Sequence, residues 1–252
     1  MKTKPMEGGR RKAEGGVRRV VRRSARFNAS ALQRLAAFTL IEMLVVIAVI
    51  AILAAMIFPV AGVVKTNRIK KRAMVELAGI QMAIEDYKSK LGFYPPDNPL
   101  LPATNQLYYE LIGTTLNNGI FQTRDGGAQI ANNAAGFQAA FGPGTSLVGF
   151  MNCTKGAGGD DAAPSQQFLS NLRAAQFMAV TTPITATVLG TSLEGPFMFQ
   201  GAGGKINPWR YNSSNATNNP GSFDLWVDVY VGSKTNRICN WSTTPQIPTT
   251  IP

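Results

Sequence analysis

Apolar residues run almost unbroken from Phe38 to Val60, 23 positions in which Thr39 and Glu42 are the only strongly polar members. That length matches the ~20 residues a helix needs to cross a bilayer. Further on the pattern becomes a stripe: Met74, Leu77, Ile80, Ile84, Tyr87 and Leu91 recur at steps of 3, 3, 4, 3 and 4, one face of an amphipathic helix. Gly92 and then Pro95-Pro96 are stop signals. The two patterns predict one helix from Phe38 to about Leu91, 54 residues and roughly 80 Å long. Only its second half carries a stripe that a globular domain can cover. Pro59 removes one backbone hydrogen bond inside it and is expected to bend or loosen it.

After Gly92 the composition shifts to Gly, Asn, Thr, Ser, Ala and Pro. "TTLNNGIFQTRDGGAQIANNAAGF" from Thr114 and "YNSSNATNNPGS" from Tyr211 read as loops. Gln106 to Ile112 and Ser165 to Val180 read as short helices, and Phe197 to Phe199 as a strand. The clearest strand is Ser222 to Val231, where Phe223, Leu225, Val227, Val229 and Val231 alternate with Asp224, Trp226, Asp228 and Tyr230. Its apolar face suits an antiparallel sheet lying on a helix, and Asp224 and Asp228 read as solvated on the other face. "GAGGK" at Gly201 to Lys205 reads as a turn, because Ile206 stands where a phosphate loop needs Ser or Thr. The fold class implied is α+β: a long N-terminal helix, membrane-spanning in its first half, packed on a small antiparallel sheet, with a loop-rich insert between about 107 and 197.

Charge divides the chain. Residues 1 to 37 hold eleven Lys and Arg against Glu7 and Glu14, so +9 of the formal +11 lies there and the rest is close to neutral at +2. Counterion-driven binding needs clustered cations, so no nucleic-acid partner is expected of the body. The arm has too few apolar groups to offset its ordering entropy and reads as disordered in water. By the positive-inside rule it stays cytoplasmic and everything after Val60 is translocated, although Lys65, Arg68, Lys70, Lys71 and Arg72 pull the other way. The apolar run is too long for a secretory signal and no good signal-peptidase site follows it.

Catalytic chemistry is poorly supplied. The chain has no His, which removes the commonest general base, the usual Ser and Cys triads and the commonest metal ligand. Asp160-Asp161 sit side by side in a Gly-rich loop with nothing organising them, so no enzyme is expected. Cys153 and Cys239, 86 residues apart, have no CxxC spacing; outside the cytoplasm they can form one disulfide, and two unpaired thiols is an equal reading.

The basic leader, the small residue at Ala37, "FTLIE" from Phe38, the apolar run and Pro59 together resemble the type IV pilin and type II secretion pseudopilin family. The resemblance spans about Ala37 to Leu91. It implies a pilin-like fold divided into a leader (1–37, removed), a transmembrane half-helix (38–60), an amphipathic half-helix (61–92) and a periplasmic or extracellular head (93–252). It also implies cleavage between Ala37 and Phe38 by a prepilin peptidase, N-methylation of Phe38, and assembly through Glu42 and Pro59. Two features depart from the family: Ala37 replaces the usual Gly, and the leader is longer than the usual handful of residues, with Met6 as an alternative start.

Glu42 then acquires a partner. Cleavage exposes an amine at Phe38, and opposite charges in a low dielectric attract strongly. The resemblance implies that Glu42 of one subunit reaches the Phe38 amine of the next and sets their stagger. Farther on, "NPWRY" (Asn207 to Tyr211), the following strand and Asn240-Trp241 are weakly similar to the major, G-type pseudopilin, whose loop often binds calcium. Calcium wants several oxygen ligands, yet "GSKTNRIC" has no acid. Asp224 and Asp228 lie about 13 Å apart at a rise of about 3.3 Å per residue, too far to clasp one ion unaided. No cofactor is therefore expected, with calcium at Asp224 and Asp228 the weaker alternative.

The resemblance implies an inner-membrane, single-pass subunit of a pseudopilus that supports protein export. Its partners are further copies, related pseudopilins and the inner-membrane assembly platform. A surface pilus for adhesion, motility or DNA uptake is the alternative. So is a membrane-anchored carbohydrate-binding module using Trp209, Tyr211, Trp226 and Trp241, which otherwise read as core.

Overall fold

The long helix forms as α1, Leu40–Leu91, 52 residues, in a computed structural model that describes residues 38–155 and 164–249, apart from the side chains of 57–63 and 155. The leader and Ala37 lie outside the described residues. Contacts divide the chain after Leu53. In the first unit, residues 38–53 are exposed throughout. Among the described residues no helix is long and apolar enough to cross a membrane. The span expected at 38–60 includes 57–60, whose side chains are outside the description.

In the second unit the stripe is buried as its spacing predicts: Ala73, Leu77, Ile80, Ala83, Ile84 and Tyr87 are in the core, while Met74 and Leu91 pack against it. The helix stops because Gly92 takes a left-handed φ of 87° and its N–H closes the last turn on the Lys88 carbonyl at 2.8 Å.

Helix α2, Leu107–Ile112, is buried along its length. It leads into strands β1 (Thr114–Asn117), β2 (Ile120–Thr123) and β3 (Gln129–Ala131), then helix α3 (Ala134–Phe141) and strand β4 (Cys153–Lys155). These strands form a sheet in the order β3-β2-β1-β4, with β4 parallel to β1. Strands β5 (Phe177–Thr182), β6 (Ala186–Thr191), β7 (Phe199–Gly201) and β8 (Gly204–Pro208) close into a small barrel in the order β5-β6-β8-β7. Strands β9 (Arg210–Asn212), β10 (Asp224–Val231) and β11 (Lys234–Cys239) make an antiparallel sheet in the order β11-β10-β9. The apolar face of β10 and the buried face of α1 belong to one hydrophobic cluster.

Four expectations are corrected. The stretch from Thr114 to Phe137 is not loop. Asn118 and Gly119, at φ of 50° and 76°, turn β1 into β2, and Asn133 caps α3 by accepting from the Gly136 amide at 2.8 Å. Its core is aromatic, with Tyr109 stacked on Phe150 at 4.9 Å and Phe121, Phe137 and Phe141 around them. These rings are spaced too irregularly along the chain to show a period.

Ser165 to Val180 is not a helix, because distant partners take its backbone groups. Gln166 N–H donates to the Asn152 side chain at 2.8 Å, Phe168 N–H donates to the Leu111 carbonyl at 2.8 Å, and β5 begins at Phe177. The strand expected at Phe197 begins instead at Phe199.

Finally, the second face of β10 is covered over its two acids, so Asp224 (3% exposed) and Asp228 (0%) are buried rather than solvated, while Tyr230 on that face stays exposed. Asn207 Nδ2 donates to the Asp228 carbonyl at 2.7 Å, and Tyr230 N–H donates to the Glu194 carbonyl at 2.7 Å. Gly195 packs so closely that a Cβ there would overlap the Asp228 carbonyl oxygen.

Candidate assembly site and the buried charges of the head

Phe38 precedes α1 and is 73% exposed. Thr39 caps the helix. Glu42 Oε2 accepts from the Thr39 N–H and from Thr39 Oγ1, both at 2.8 Å, and the Glu42 N–H donates to Thr39 Oγ1 at 3.3 Å. This is a reciprocal capping box, which satisfies helix-terminal donors that otherwise have no partner. It also sets a negative charge in the first turn, where the helix dipole favours one. Its signal in the sequence is Thr39-x-x-Glu42, overshadowed there by the cost of a carboxylate in an apolar run. The box holds Glu42 as an exposed acceptor one residue from the Phe38 nitrogen. Pro59 falls inside α1, whose backbone stays helical across it.

Asp224 and Asp228 do not converge on one point. Asp224 staples the preceding loop, accepting from the Asn218 N–H at 3.0 Å, Asn218 Nδ2 at 2.9 Å and the Asn219 N–H at 2.9 Å. Asp228 is gripped from β11 by its register partner Arg237, through Nε at 2.8 Å and Nη2 at 2.9 Å. This bidentate pairing raises the Arg237 pKa, though burial and neighbouring Cys239 also act on it. Among the described residues no three His, Cys, Asp or Glu gather as a metal site requires. A second arginine, Arg210, lies on β9 and is buried, at 3% exposure. Burial lowers its pKa, nearby Asp228 raises it and Arg237 lowers it again.

Sequence reasoning misses Glu110, a fully enclosed acid of the head, at 0% exposure on α2. Its carboxylate accepts from the Met151 N–H at 2.8 Å, the Asn152 N–H at 2.9 Å and Tyr87 Oη at 2.9 Å. Burial pushes its pKa up, and those three donors pull partly back. It thereby ties α1 to α2 and to the segment before β4. A lone Glu in "LYYELI" gives no sequence sign of this, since all three partners are distant.

Cys153 on β4 and Cys239 on β11 belong to separate sheets, and no disulfide joins them. Trp209 and Tyr211 are fully buried, as the core reading expected. Trp226 and Trp241 are half-buried and pack edge to face at 5.8 Å.

No curated protein and no solved structure matches the chain. Residues 33–58 match the family model described as a prokaryotic N-terminal methylation motif, a match that contains Ala37, Phe38, the capping box and Glu42. The motif belongs to structural proteins of the type IV pilin-like group, and it implies prepilin-peptidase processing, a membrane-anchored N-terminus and assembly into filaments.

Proposed function

We propose that this protein is a structural subunit of a type II secretion pseudopilus. The observation that carries the reading is the methylation motif at residues 33–58 on a helix whose continuation, from Ala73 to Tyr87, is core to a folded head. Cleavage between Ala37 and Phe38 removes the basic leader and leaves a Phe38 amine for methylation. Residues 38–60 anchor the subunit in the inner membrane, and the head, from residue 93, faces the periplasm or the filament surface.

Glu42 is the assembly residue. Its carboxylate faces the first turn, and a neighbour's Phe38 amine can take the place of the Thr39 donors because a charge pair in low dielectric outweighs neutral hydrogen bonds. Pro59 supplies a point where the helix loosens as subunits leave the bilayer. What favours secretion over a surface pilus is the run Asn207-Pro208-Trp209-Arg210-Tyr211, followed by β10 and Asn240-Trp241, which resembles the G-type pseudopilin.

Mass and N-terminal sequencing of the membrane form test the chemistry: N-methyl-Phe38 is expected, and any other start refutes it. Glu42→Ala subunits are expected to be processed but excluded from filaments. Protease treatment of intact cells that released the head would move the assignment to a surface pilus.

A further inference from the structure

One cleft of the head belongs to neither the assembly helix nor the loop stapled by Asp224. It has a volume of about 370 Å³, within the range of small-molecule sites. Its walls are apolar: Leu100 and Leu101 ahead of α2, Pro183 and Ile184 between β5 and β6, and Phe197 and Phe199 at β7. Leu100, Leu101 and Phe197 stand 68%, 40% and 37% exposed, so the cleft opens through an apolar rim.

Three polar side chains reach this lining, Thr104, Arg210 and Trp226. The Thr104 hydroxyl already donates to the Phe141 carbonyl at 2.7 Å, so Arg210 and Trp226 remain. They are direct register partners on β9 and β10, so their side chains leave the same face of the sheet. Arg210 Nη1 and Trp226 Nε1 are both buried and have no hydrogen-bond partner among the described residues. The Arg210 guanidinium lies 5.2 Å from the centre of the Phe197 ring, which lines the same cleft. Native interiors rarely leave such donors unmet, and an unmet buried charge is the costliest case.

The nearby acids are already engaged. Arg210 and Arg237 are two cations near one buried acid, Asp228, and Arg237 already holds both Asp228 oxygens. Asp224 is engaged by Asn218 and Asn219. Among the described residues no acceptor therefore meets Arg210 Nη1 where it lines the cleft, beside an indole N–H that can donate to the same anion.

We infer that this cleft binds a small amphipathic monocarboxylate, its aliphatic or aryl body against Leu100, Ile184, Phe197 and Phe199 and its carboxylate on Arg210 and Trp226. A guanidinium and a planar carboxylate match in geometry, which favours this anion over a bulkier one. The inference is independent of the secretion assignment, since it uses no residue of the assembly helix.

The test uses the full chain in lipid nanodiscs, titrated with octanoate, octanol or octylammonium while tryptophan fluorescence is followed, with empty nanodiscs as the blank. Octanoate should bind saturably and at least tenfold tighter than octanol, and octylammonium should not bind. Arg210→Met should weaken octanoate at least tenfold without weakening octanol, and Arg210→Lys should restore part of the loss. Leu100→Asp, at the exposed rim, supplies a variant whose folding is not at risk, and it should repel octanoate selectively. Equal affinity for octanoate and octanol, or an Arg210→Met or Leu100→Asp variant that binds octanoate as before, overturns the inference. So does displacement of octanoate by a lower concentration of a peptide ending in Leu-Leu with a free carboxylate, which would assign the cleft to a chain terminus.

Discussion

Replacing Tyr87 by Phe removes one oxygen from the joint between α1 and the head. Both partners are fully buried and the Tyr87 Oη to Glu110 Oε2 distance is 2.9 Å, so no water replaces the lost donor. A hydrogen bond to an ionised group contributes about 1.5–3 kcal/mol and one between neutral groups about 0.5–1.5 kcal/mol. The cost of Tyr87→Phe therefore depends on whether Glu110 is charged. Burial raises the Glu110 pKa above its usual 4.5, so its contribution to stability is fully present below that value and is lost as pH rises through the folded-state value.

Without the Tyr87 donor the folded-state value climbs further, and that loss deepens as pH increases. Tyr87→Phe is expected to cost about 1 kcal/mol at pH 4, where Glu110 is neutral, and about 2 kcal/mol at a pH above the Glu110 folded-state value. For a domain of this size the larger figure corresponds to a fall of about 4–8 °C in Tm. Thermal unfolding of the full chain in nanodiscs, followed by near-ultraviolet circular dichroism at both pH values, reads this directly. In a Glu110→Gln background the pH dependence of the Tyr87→Phe cost should vanish. A cost that is equal at the two pH values in the wild-type background, or below about 0.5 kcal/mol throughout, would refute the reasoning.

Three other outcomes follow from the same geometry. Asp228→Asn leaves Arg237 and Arg210 without their shared acid and should destabilise the head by about 3–5 kcal/mol, seen as a lower denaturant midpoint. Gly195→Ala forces a methyl against the Asp228 carbonyl and Asn207 side chain; a loss of about 1–3 kcal/mol is expected, whereas unchanged stability would mean that β10 can shift. Thr39→Ala removes the capping box at a cost of about 1 kcal/mol, measurable as faster amide exchange over Leu40 to Met43 with the Ala73 to Tyr87 segment unaffected.

Periodic features are legible in the sequence. The stripe from Met74 to Leu91 comes from one helix face meeting one core, so it repeats at the helical period, and the stop at Gly92 is local chemistry. The alternation in β10 is equally plain. The second face of that strand misleads because Asp224 and Asp228 are polar by composition. Their burial depends on what packs over them, namely Arg237, Asn207 and the Asn218-Asn219 loop. The insert resembles loop in its sequence because its aromatic core is assembled from single residues on α2, β2, α3 and the segment before β4.

The basic character of residues 1–37, the methylation motif, the long helix and its buried face were all legible in the chain itself, because each rests on residues a few positions apart. The three sheets, the Glu110 joint with Tyr87, and the cleft in which Arg210 and Trp226 share a face emerged only on folding. These depend on residues brought together over tens to more than a hundred positions. At that separation no period or spacing survives, and only packing and the need to satisfy buried polar groups select the partners.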